Sequence, residues 1–130
     1  MAKGAAFIYA ALSGGVMIFQ LCLAAGMPWG SYAMGGAFAG EFPPAMRVAA
    51  VIQALIIFAF AAVVLSRAQL GFSKLRKISQ KLIWFVVAFG IVGFILNVIT
   101  PSQGERLLWA PVAFVLLISS VVVARSDSRA

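Results

Sequence analysis

The chain has 130 residues, of which 64% are apolar and only 10% charged, with a net charge of +7. Soluble domains lie nearer half apolar and a quarter charged. One domain of this length could not hide the excess, so lipid must be its solvent. The bases flank the apolar runs, which is the ordinary signal of membrane topology and not a nucleic-acid surface.

Four apolar spans are predicted at about 5–25, 45–66, 82–99 and 103–124, the last built on the run that begins at Leu107. Each is close to the ~20 residues that cross a ~30 Å hydrocarbon core. Apart from Arg47 at the start of the second, the apolar runs 5–25, 45–66, 82–99 and 107–124 carry no charged residue. Helices satisfy their own backbone hydrogen bonds in lipid, and the alternating pattern of a membrane β-barrel is missing. The expected fold is therefore all-α: a single polytopic domain of four transmembrane helices in an antiparallel bundle.

The first span begins like a signal peptide, with Lys3 before an apolar stretch. That stretch continues to Ala25, long enough to span, so the expectation is a retained helix. It contains Cys22, the one cysteine, which has no partner for a disulfide or redox pair.

The connection 26–44 is long but not polar, reading Gly-Met-Pro-Trp-Gly, then Gly and Ala, then Glu-Phe-Pro-Pro. Loops of this length are often functional, and disordered ones lack so many apolar residues. It is expected to fold back over the bundle. Trp29 and Trp109 belong in the aromatic belt at that end and Trp84 in the opposite one.

Between spans two and three lie Arg67, Lys74, Arg76, Lys77 and Lys81. Interleaved with Phe72, Leu75 and Ile78, they either only fix the orientation of the chain or form a short interfacial helix in contact with anionic lipid headgroups. The turn before span four holds Thr100-Pro101 and then a capping box, Ser102 with Glu105. Pro111 lies well inside the span, where a kink is expected.

The bases assign sides. Lys3, the five bases of the middle connection, Arg125 and Arg129 fall on one side of a four-span chain, leaving only Arg47 and Arg106 on the other. Basic residues stay inside. Both termini are expected in the cytoplasm, in a plasma or bacterial inner membrane.

Three amides stand within the spans: Gln20, Gln53 and Asn97. All three fall in the outer half, and each shares a face with small residues. They either bond across helices or line a polar pocket capped by the 26–44 connection. Outside the membrane, Glu41, Arg47, Glu105 and Arg106 form a candidate outer charge cluster.

Chemistry is poorly supplied. The chain has no histidine, no intramembrane carboxylate and no paired cysteine, so neither hydrolase sets nor metal motifs are possible. No enzyme activity, cofactor or metal is expected. A proton relay would need a buried ionisable residue. Two functions remain. One is a structural or accessory subunit that packs on a membrane-protein partner or on itself. The other is a binding or transport module for a small neutral or lipid-like molecule. The first asks least of the residues. A filled interior would favour it, whereas an enclosed pocket with converging amides would favour the second.

Overall fold

The computed structural model describes residues 1–126, and Asp127 and Arg129 lie outside the described residues. Four long helices form: α1 Ala2–Ala25, α2 Pro44–Arg67, α3 Arg76–Ile99 and α4 Gln103–Ala124. Each is long and apolar enough to cross a membrane, and no strand occurs among the described residues.

The helix boundaries follow local chemistry. Gly26 ends α1 in the left-handed region, at φ 105°. The Gly26 and Met27 N–H groups then donate back to the Leu23 and Cys22 carbonyls, which satisfies orphaned acceptors at the helix end. Pro44 opens α2, where its missing N–H costs nothing. Ser102 caps α4, accepting from the Glu105 N–H at 3.2 Å. α4 continues through Pro111 to Ala124.

The middle connection departs from the interfacial-helix expectation. A single 3-10 turn, Ser73–Leu75, leads directly into α3. Arg76, Lys77 and Lys81 are therefore the first turns of α3 and not part of a separate interfacial helix. The reason is continuity: nothing between Arg76 and Leu82 breaks a helix, so the apolar span propagates back through the basic segment.

α1 packs against α2 and α4, and α3 against α4 and α2. The 26–44 connection and the α3–α4 turn meet at one end, called here the loop end. The termini and the α2–α3 connection meet at the other, the terminal end. The terminal end is tightly packed: Ala6 and Tyr9 of α1, Val64 of α2, Ile83 and Val87 of α3 and Val123 of α4 share one core. Arg67 is buried there. Its Nη2 donates to the Ala124 and Ser126 carbonyls at 3.3 and 2.8 Å, and its Nη1 to Ser126 Oγ at 3.4 Å. The end of α2 is thereby bound to the carbonyl end of α4, where a cation is also favoured by the helix dipole.

At the loop end a smaller cluster of Leu23, Phe42 and Ala50 is joined by Phe19, Phe38 and Met46. It draws on α1, α2 and the connection between them, and on nothing from α3. Outward-facing Phe7, Leu55, Trp84 and Ile95 are all at least half exposed, as expected of helices whose outer surface meets lipid tails.

Candidate functional site: a capped cavity at the loop end

Between the two packed clusters lies a cavity of about 750 Å³, within the ~300–1,000 Å³ of typical ligand sites. Tyr9, Ser13 and Val86 line its deep end, and Ala33, Met34 and Gly35 roof it. All three intramembrane amides line it: Gln20 from α1, Gln53 from α2 and Asn97 from α3.

Helical spacing explains the convergence. Tyr9, Ser13 and Gln20 recur at intervals of four and seven on α1, so they share a face. Gly90, Gly93 and Asn97 do the same on α3, and Gln53 and Ile57 on α2. Added bulk at Gly93 would meet no atom within 4 Å, so Gly93 holds the cavity open. Gly90 differs, because a Cβ there would approach Leu117 to 3.3 Å; it serves the contact between α3 and α4.

The amides do not bond one another. Asn97 Nδ2 donates to the Gly93 carbonyl of its own helix at 2.7 Å, which leaves the side-chain oxygen without a partner among the described residues. Neither the Gln20 nor the Gln53 side chain has a hydrogen-bond partner among the described residues. A polar group in an apolar setting without a partner is costly, so two unpaired amides facing one space constitute a hydrogen-bonding surface.

The roof is the 26–44 connection, folded into two 3-10 turns, Gly30–Tyr32 and Met34–Gly36. Three hydrogen bonds fasten it to the start of α4. The Gly35 N–H donates to Glu105 Oε2 at 2.8 Å, Ser102 Oγ to the Ser31 carbonyl at 2.5 Å, and Trp109 Nε1 to the Tyr32 carbonyl at 2.9 Å. Glu105 thus completes only half of the expected capping box. Its carboxylate leaves the cap backbone for Gly35, and the Ser102 N–H donates to Thr100 Oγ1 at 3.3 Å instead. The pattern Ser-x-x-Glu could announce a helix start but not a contact 70 residues away in sequence. Gly30 is required for the fold of the roof, since a Cβ there would fall on the Phe38 carbonyl.

The four outer charges separate into independent contacts. Arg47 lies 3.6 Å from Glu41 and donates through Nε to the Phe42 carbonyl at 2.8 Å. Arg106 donates to the Thr100 carbonyl at 3.2 Å, and Glu105 holds the roof. Of the four, only Glu105 lines the cavity. The five bases grouped as headgroup contacts also divide. Lys74, Lys77 and Lys81 are exposed at the terminal end, Arg76 is half-buried, and Arg67 is turned inward onto α4.

Sequence reasoning missed Tyr9 and the aromatic wall of Phe19, Phe60, Phe89 and Trp109. Tyr9 left a signal in its spacing to Ser13 and Gln20. The phenylalanines left none, because lipid-facing and cavity-facing rings look alike in sequence. No known family model, curated protein or solved structure matches this chain. Its class therefore rests on its own architecture: an all-α protein with four helices able to span a membrane, enclosing a capped cavity.

Proposed function

We propose that this protein is a membrane-embedded binding module for a small neutral or lipid-like molecule, held in the loop-end cavity. The observation that carries the reading is the convergence of Gln20, Gln53 and Asn97 on one apolar space with two of the amides unpaired. Amides that served only as helix glue would bond across helices. The one carboxylate that lines the site among the described residues, Glu105, is engaged by a backbone N–H. Positive-inside bias orients the roof away from the cytoplasm and both termini toward it.

The accessory-subunit reading has one observation in its favour. Gly4, Ala11 and Gly15 are exposed along α1, and small residues let a second helix approach closely. A protomer that binds a ligand and also pairs through this face satisfies both readings.

Native mass spectrometry of gently solubilised protein separates them. A retained small molecule, lost in Gly93→Leu, supports the binding module. A stoichiometric protein partner with an empty cavity supports the accessory subunit.

A further inference from the structure

The cavity is sealed unevenly. Between α1 and α4, Phe19 packs edge-on against Trp109 with ring centroids 4.7 Å apart. Above, the roof is fastened to α4 by its three hydrogen bonds. Between α2 and α3 the ring contacts and the shared core lie from mid-helix to the terminal end. There Phe60 meets Phe85 and Phe89 at 6.2 and 5.1 Å, and Val64 shares a core with Ile83 and Val87. Nearer the loop end, the packed cluster takes nothing from α3.

Exposure marks the same gap. The cavity-lining residues of α1, α2 and α4 are all buried or half-buried. On α3, by contrast, Leu96 and Ile99, beyond the Phe60–Phe89 contact, line the cavity while 56% and 67% exposed. These side chains face the cavity and the hydrocarbon at once. Gln53 and Asn97 stand on the two helices that border the gap, at the level where the ring contacts have ended.

Resting on the binding reading above, we propose that the gap between α2 and α3 is a lateral portal. Through it a bilayer-dissolved, single-chain amphiphile with an uncharged hydrogen-bonding head reaches the amides. Its head bonds Gln20, Gln53 and the side-chain oxygen of Asn97, and its chain lies along Ile57, Phe89 and Leu96. Charge argues for the neutral head. Among the described residues no base lines the cavity, and an anionic head would meet the Glu105 carboxylate. That carboxylate is already bonded to Gly35 and offers a cation little. Volume argues for one chain: at ~30 Å³ per water-sized group, the cavity takes roughly 25 heavy atoms, too few for a two-chain lipid. The core closes the terminal end, and at the loop end the aqueous side is narrowed by the fastened roof, whose Tyr32 and Met34 line the cavity while 40% and 46% exposed.

The test is photo-crosslinking of the full chain in phosphatidylcholine vesicles, with labelled residues mapped by peptide mass spectrometry. Two probes carry the same diazirine: a long-chain monoacylglycerol dissolved in the bilayer, and a short-chain, water-soluble glycerol ester. The expected result is that the long-chain probe labels Ile57, Phe89 and Ala113, and that Gly93→Leu removes the labels on Ile57 and Ala113. Lipid-facing Leu55 and Ile95 should be labelled equally in both proteins, which shows that the variant is folded and inserted. Gln53→Leu with Asn97→Leu should lower cavity labelling about tenfold. Cavity labelling by the short probe alone would overturn the lateral portal and leave the binding reading standing. Labelling by neither would overturn both. Stronger cavity labelling by a long-chain alkylammonium or fatty acid carrying the same diazirine would overturn the uncharged head.

Discussion

Gln53 and Asn97 occupy positions where an amide is a liability unless something bonds it. Leucine at either site should therefore leave the fold intact, since amide bonds within membranes average ~0.6 kcal/mol. The expected outcome for Gln53→Leu is a thermal unfolding midpoint at or slightly above that of the unaltered protein, with retained ligand reduced in native mass spectra. A large drop in the midpoint would instead identify Gln53 as structural. Arg67 lies at the opposite extreme. Its guanidinium makes three hydrogen bonds to the end of α4, and bonds to charged groups contribute ~1.5–3 kcal/mol each. Arg67→Ala should lower stability by at least about 2 kcal/mol, measured by unfolding in mixed micelles. Lysine should rescue only part of this, because one ammonium cannot reproduce the planar fork.

At the scale of the element, the roof is the segment whose behaviour can be altered separately from the bundle. It is held through Gly35, Ser31 and Tyr32, and two of those three bonds are made to the first turn of α4. Glu105→Ala leaves the Gly35 N–H without its acceptor, and Gly30→Ala drives a methyl group into the Phe38 carbonyl. Both variants should speed hydrogen exchange in residues 30–40 while exchange in the middle of α2 and α4 stays unchanged. Unaltered exchange in the roof would show that the latch contributes nothing to its order.

For the whole molecule, the placement of the 26–44 connection and the α3–α4 turn at one end, and of the termini and the α2–α3 connection at the other, makes sidedness testable. In a Cys22→Ser background, Ser31→Cys should react with an impermeant maleimide added to intact cells, and Ser73→Cys should react only after lysis. The reverse pattern would invert the proposed orientation. Gly93→Leu tests the interior as a whole. It replaces a helix-interior glycine, worth up to ~1 kcal/mol in propensity, and adds apolar contacts in empty space. It should raise the unfolding midpoint while removing the retained ligand. A protein in which the cavity closes by rearrangement would be destabilised instead.

Run length and charge placement in the sequence are enough to determine that the chain is all-helical, how many times it can cross a membrane, and where the connections fall. Both signals are local: an apolar run of ~20 residues has no other way to satisfy its backbone in lipid. The three amides were legible as well, because each interrupts an apolar run, and their helical spacing placed them on shared faces. Tertiary structure alone decided whether those faces enclose space or meet. Gly90 and Gly93 are the same residue three positions apart, yet one sits against Leu117 and the other opens onto the cavity. It also decided the partners of Glu105 and Arg67, which the sequence assigned to a helix cap and to lipid headgroups. In both cases the deciding acceptor or donor lies more than 50 residues away. Local patterning specifies which groups need partners. Only the packing of distant helices specifies which partner each one finds.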